Sequence, residues 1–131
     1  MRTSSPLHRR DHEPPPVVSE RGWRYHHLGL PTAVPRPDEV HLPAYGLHVS
    51  GFPTSPFGIE WMRWDEDSPV PEIVRTIPHL AFEVDDLDAE LAGFEILMPP
   101  GSPSNGVRSA MILAGGAPVE LIEFRPVPDR T

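Results

Sequence analysis

Polar and apolar residues alternate most clearly over Ile77–Val84. Ile77, His79, Ala81 and Glu83 fall on one side and Leu80, Phe82 and Val84 on the other, the period-two signature of a strand. Asp85 or Asp86 then offers an N-cap for a short helix over Leu87–Leu91, and Gly93 a stop. Strands follow at Phe94–Met98, Val107–Ala114 and Pro118–Phe124, with Gly115-Gly116 as the hairpin turn between the last two. The earlier part of the chain reads as strands at Trp23–Pro31, Tyr45–Phe52 and Phe57–Trp64. Between the first two of these, Pro31, Pro35, Pro37 and Pro43 exclude a regular helix beyond one turn around Asp38–His41.

Composition changes this picture at the ends. Proline accounts for 19 of 131 residues, about three times its ordinary share. Met1 to Arg21 is polar, rich in proline and nearly free of apolar residues, so it is expected as a disordered tail whose His8 and His12 are solvated. The expected domain covers residues 22–126, with a first module at 22–65, an acidic proline-containing linker at 66–75, a second module at 76–126 and a short tail at 127–131.

A net charge of -8 argues against general affinity for nucleic acid or anionic membranes, and no apolar run is long enough to span a bilayer. Absent any address, the cytoplasm is the default location. The chain has no cysteine, so disulfides, thiolate metal ligands and a thiol nucleophile are excluded. Any metal must be held by histidine and carboxylate, which suits Zn, Ni, Fe, Mn or Co.

The two halves repeat one order: a strand with a histidine, a crossover, two strands, then a strand with a glutamate. His27-Leu28-Gly29-Leu30 lies over His79-Leu80-Ala81-Phe82, and Gly58-Ile59-Glu60-Trp61-Met62 over Pro118-Val119-Glu120-Leu121-Ile122. Adjacent residues on a regular strand face opposite ways, and the alignment selects His27 rather than His26. The spacing from histidine to glutamate is 33 residues in the first half (27 to 60) and 41 in the second (79 to 120). The shorter first half fits a crossover helix reduced to a proline-rich loop.

The repeat makes one constellation of His27, Glu60, His79 and Glu120. Two imidazoles and two carboxylates from rigid strands are a ligand set for a divalent metal with positions left for substrate. Strand parity puts Glu60 with Gly58, Met62 and Trp64, and Glu120 with Pro118, Ile122 and Phe124. Those faces are partly apolar, a costly place for an unpaired carboxylate.

These stretches resemble the vicinal oxygen chelate superfamily, which embraces glyoxalases, bleomycin-resistance proteins and extradiol dioxygenases. The resemblance rests on HHLGLPT at His26–Thr32, GIEWMRW at Gly58–Trp64, HLAFEVDDLDAEL at His79–Leu91 and VRSAMILAGGAPVELIEF at Val107–Phe124. It implies an α+β fold in which two paired βαβββ modules form a half-open, eight-stranded cup around a divalent metal, here with the first-module helix largely replaced. It also implies ligands at His27, Glu60, His79 and Glu120, a set similar to that of bacterial glyoxalase I. The implied function is a metal-dependent lyase or isomerase acting on a small substrate chelated through adjacent oxygens, with Glu60 or Glu120 as general base. The alternatives are a metal-free binder of an antibiotic or toxin, and an Fe(II) extradiol-type dioxygenase. Trp61, Trp64, Met62, His48, Arg108 and Met111 are candidates for the pocket wall, Arg108 as a cation for a substrate carboxylate. A homodimer is expected from the exposed edges of two four-stranded modules.

Overall fold

In the computed structural model, which describes residues 9–125, eight strands form one curled sheet. They are β1 (Arg24–Pro31), β2 (Val40–Leu42), β3 (Leu47–Ser50), β4 (Ile59–Trp64), β5 (His79–Glu83), β6 (Glu95–Gly101), β7 (Val107–Ala114) and β8 (Ala117–Phe124). Their order across the sheet is β2-β3-β4-β1-β5-β8-β7-β6. Each half contributes four consecutive strands, and the halves join where β1 runs antiparallel to β5. This is the paired-module, eight-stranded cup expected from the sequence.

The register makes the repeat physical. Leu28 faces Leu80 at the junction, flanked by His27 opposite Ala81 and Gly29 opposite His79. Parallel pairing then sets Gly29 beside Glu60 on β4 and Ala81 beside Glu120 on β8. Each histidine therefore precedes, by two residues, the position that faces its own module's glutamate. A pseudo-twofold axis passes through Leu28 and Leu80.

The halves differ on the convex side. In the second half, α1 (Leu87–Leu91) supplies the crossover; Asp86 caps it by accepting from the Ala89 amide at 3.2 Å. The Leu87 amide donates to Glu123 Oε2 at 3.1 Å. Leu87 and Leu91 pack on a buried cluster of Trp23, Phe82, Val84, Ala110, Ile112 and Leu121. Full burial of each large aliphatic side chain contributes about 1.5–3 kcal/mol. No such helix covers β2–β4. There the convex positions are polar: His41 pairs with His48, and His48 with Arg63, whose guanidinium donates twice to Glu39 at 2.8 Å.

Three expectations are corrected. The segment proposed as a helical turn around Asp38–His41 instead yields β2. Asp38 adopts a positive φ of 64°, which interrupts helical geometry and turns the chain into the edge strand. The linker is not a bare spacer: Glu72–Thr76 forms a helix, and its Val74 and the preceding Val70 pack with Met111 at one end of the cup. The expected N-terminal tail does not extend to Arg21. Pro16–Ser19 forms a helical turn whose Val17 and Val18 rest on the main core, and the Trp23 indole N–H donates to Glu90 at 2.7 Å. Residues 1–8, with His8, and the C-terminal tail lie outside the described residues.

Glycine matters most at position 29. A Cβ there would lie 2.3 Å from His79 Cε1 and 2.7 Å from Met62 Sδ, so the His79 ring occupies the space a side chain would need. Gly29→Ala is expected to cost about 1–3 kcal/mol, the usual range for overpacking. Urea denaturation should show a lower midpoint at unchanged slope, and a midpoint equal to wild type would refute the packing argument.

Candidate metal centre

His27, Glu60 and Glu120 face the hollow of the cup, and His79 lies almost wholly buried at its floor, 2% exposed. His27 Nε2 is 3.2 Å from Glu120 Oε1 and 3.4 Å from Glu60 Oε1, while His79 Nε2 is 3.3 Å from the same Glu120 oxygen. Ligand atoms of His27, His79 and Glu120 lie within 4.8 Å of one another. Glu60 approaches from β4 on the first-module side and touches His27 alone among these groups.

The groups perturb one another. Burial would raise the Glu120 carboxyl, but contacts and charge from His27 and His79 lower it to about 2. Burial works against a charged His27, yet Glu120, by contact and charge, and Glu60, by charge, raise its pKa above the ordinary value. Burial dominates at Glu60 and pushes its carboxyl up, with His27 opposing.

His26 was absent from the sequence-based set, because strict alternation sends it to the other face. A bulge between Tyr25 and His27 breaks the alternation. An extra residue in one strand turns neighbouring side chains toward one side. The His26 ring stacks on Phe52 at 5.1 Å and lines the cavity, and its Nδ1 lies 2.8 Å from His27 Nδ1. One of these two nitrogens carries the shared proton. With the proton on His27 Nδ1, His27 Nε2 is left with a lone pair aimed into the site. Burial and the charge of His27 lower the pKa of His26, favouring its neutral form.

The cavity above the four residues measures about 410 Å³. Trp64, Met62 and Met111, three of the wall candidates, line it. Three other candidates do not. Trp61, adjacent to Glu60 on the strand, faces away and carries the Arg36 guanidinium 5.2 Å from its ring centre. His48 pairs with Arg63 on the convex side, leaving Leu47 and Val49 to face the cavity. Arg108 also faces outward, donating to both Asp88 carboxylate oxygens at 3.1 and 3.2 Å. It is tied to the crossover helix and lies outside the residues that line the cavity. Tyr45, Phe52, Met98 and Phe124 complete much of the wall, and of these only Phe124 shares strand parity with a candidate ligand.

The four residues suit a divalent metal. His27 Nε2 is buried, faces two carboxylates and makes no hydrogen bond of acceptable geometry. Such an orphaned nitrogen between anionic oxygens is explained by a cation. His27, His79 and Glu120 would hold it, with Glu60 within reach as a fourth group.

The chain matches no protein-family model, and no curated protein matches it significantly in sequence. Solved structures do resemble it. A hypothetical protein of Bacillus halodurans C-125 superposes with a TM-score of 0.61 at 16% identity, covering 82% of this chain and 99% of that one. Methylmalonyl-CoA epimerase of Mycobacterium tuberculosis gives a TM-score of 0.57 at 23% identity over 79% of this chain and 89% of its own. With the paired modules described above, these likenesses show the fold, a glyoxalase-like α+β cup of eight strands.

Two outcomes follow from the geometry. Because Arg108 is spent on Asp88 at the surface, Arg108→Ala should lower stability by no more than about 1 kcal/mol and leave metal uptake unchanged, as calorimetry would show. Metal binding competes with protonation of His27 and Glu60, whose pKa values are both raised. Affinity should therefore rise as pH increases from about 6 to about 8, with proton release on binding. Titration of the metal-free protein in two buffers of different ionisation enthalpy measures that release. A pH-independent affinity, or equal uptake by a His79→Ala, Glu120→Ala variant, would contradict the assignment.

Proposed function

We propose that the protein is a divalent-metal-dependent lyase or isomerase acting on a small, largely apolar substrate through two adjacent oxygens. The observation that carries this reading is the convergence of two histidines and a carboxylate within 4.8 Å at the floor of an apolar cavity, with a second carboxylate beside them. A divalent ion held there supplies Lewis acidity that stabilises negative charge developing on a substrate oxygen.

The chain's own residues divide the remaining work. Glu120 lies between both histidines with its carboxyl held near 2, which suits a permanently ionised ligand. Glu60 meets only His27, and burial pushes its carboxyl up, which suits a group that accepts and returns a proton. Glu60 is therefore assigned as general base, narrowing the two candidates to one. His26 holds the tautomer and orientation of His27 through the contact between their Nδ1 atoms. Trp64, Met62, Met111 and Phe124 exclude water from the reacting centre. Among the described residues no arginine lines the cavity, and the chain has no lysine. A free carboxylate on the substrate would thus find no cationic side chain beside the metal, and a neutral hydroxyketone or diketone fits better. Assembly as a homodimer belongs to the same proposal, since β2 and β6 leave both sheet edges unpaired within the chain.

A second reading has its own support. The tight group of His27, His79 and Glu120 is a two-histidine, one-carboxylate set, the arrangement suited to non-haem Fe(II) oxygenases. Oxygen consumption by Fe(II)-loaded protein with catechol would favour it.

Proton exchange tests the leading proposal. Protein loaded with Ni, Zn, Mn or Co should exchange the carbon-bound proton of a neutral hydroxyketone for deuterium, followed by NMR. Glu60→Gln should slow exchange about 10²–10⁴-fold, the usual contribution of a general base, while the metal stays bound. Exchange at the wild-type rate in that variant would remove Glu60 from the role. No exchange with any metal or substrate would leave the metal-free binder as the better account.

A further inference from the structure

On the convex side of the first half, away from the cup, His41, His48 and Asp65 converge. His41 and His48 are directly opposite on the β2–β3 hairpin, and their rings stack with centres 4.3 Å apart and planes 8° from parallel. Both Nε2 atoms point at one carboxylate: His48 Nε2 is 3.1 Å from Asp65 Oδ1, and His41 Nε2 is 3.6 Å from Asp65 Oδ2. One ligand atom from each residue lies within 4.8 Å of the other two.

We propose that His41, His48 and Asp65 form a second site for a divalent transition metal that favours imidazole, such as Zn²⁺, separate from the centre in the cup. Stacked, parallel imidazoles aimed at a shared carboxylate gain little as a hydrogen-bonded group, because only His48 is close enough to bond Asp65. The same placement is what a two-nitrogen, one-oxygen metal site needs, with the outer positions open to water. The ligands come from β2, β3 and the residue following β4, so their relative positions are held by strand pairing. The electrostatics favour a cation. The nearby Arg63 is committed to Glu39 through two 2.8 Å contacts, and Asp65 opens the acidic run Asp65-Glu66-Asp67. The site occupies the sheet surface left bare where the second half carries its crossover helix. A bound ion there would fasten the three-residue edge strand β2 to the strands that carry Glu60 and the cavity wall.

The test uses the full chain with His8→Ala and His12→Ala, which removes the N-terminal histidines. Zn²⁺ would be titrated while histidine resonances are followed by two-dimensional NMR and bound metal is counted after equilibrium dialysis. The expected result is that His41 and His48 signals move together with Zn²⁺, and that His48→Gln binds one ion fewer than its parent. Asp65→Asn should weaken this binding by at least about 10-fold, since removing even an outer partner of a metal ligand costs that much. The count is a difference, so it holds whether or not the cup takes its own ion. Unmoved His41 and His48 signals under excess Zn²⁺, or equal stoichiometry in parent and His48→Gln, would overturn the proposal. If the glutamine variant does not fold, the spectra of the parent and of Asp65→Asn decide.

Discussion

The structure depends on the antiparallel pairing of β1 with β5. With Leu28 opposite Leu80, the backbone ladder brings His27 and His79 to diagonal positions across the junction, two residues from the points where β4 and β8 deliver their glutamates. The ladder can hold the rings this close because position 29 is glycine and its counterpart at 81 is alanine. A side chain at position 29 would push the His79 ring out of line. The site is thus rigid because of main-chain hydrogen bonding, and it sits on strands rather than loops, the setting in which ligand geometry is held best.

Pseudo-symmetry stops at the back of the sheet. The second half buries Phe82, Ile112 and Leu121 beneath Leu87 and Leu91, so most of the hydrophobic stabilisation lies there. Among the described residues the first half has only short 3₁₀ turns between its strands and carries His48, Trp61 and Arg63 on the corresponding face. Its crossover is stiffened instead by Pro35 and Pro37, which narrow the unfolded ensemble rather than add contacts. The strand β4, which carries Glu60, is held between the well-anchored β1 and the polar hairpin β2–β3. Two different kinds of support therefore meet at one site.

Much of this was legible in the sequence, and for a physical reason. Alternation assigns faces, so Glu60, Met62 and Trp64 could be placed together, as could Glu120, Ile122 and Phe124. The repeat could pair them with His27 and His79. The same rule already argued against three wall candidates. Trp61 adjoins Glu60, His48 adjoins two cavity residues, and Arg108 is three positions from Met111, so none can share the ligand face on a regular strand. What could not be read was whatever departs from regularity or depends on distant partners. The His26 bulge has no local signature and reverses the parity argument at that residue. The three residues of β2 become a strand because β3 offers them a partner, and the helix within the expected linker gains stability from Met111 and Trp64 rather than from its own five residues.

A symmetric repeat might be expected to produce two equivalent glutamates, yet their surroundings differ. Glu120 reaches both histidines, whereas Glu60 reaches only His27. At Glu120, contact and charge from both histidines outweigh the penalty of burial; at Glu60, burial together with the negative charge of Glu120 outweighs the opposing charge of His27 and His79, so the two carboxyl groups shift in opposite directions. Pairs of acids driven apart in this way suit proton-transfer chemistry: one stays ionised while the other holds a proton more readily. Here the difference comes from contact: the two registers match, yet Glu120 touches both histidines and Glu60 only His27. The symmetry of the modules brings the two glutamates to equivalent strand positions, and their unequal contacts with the histidines set the two carboxyl groups apart.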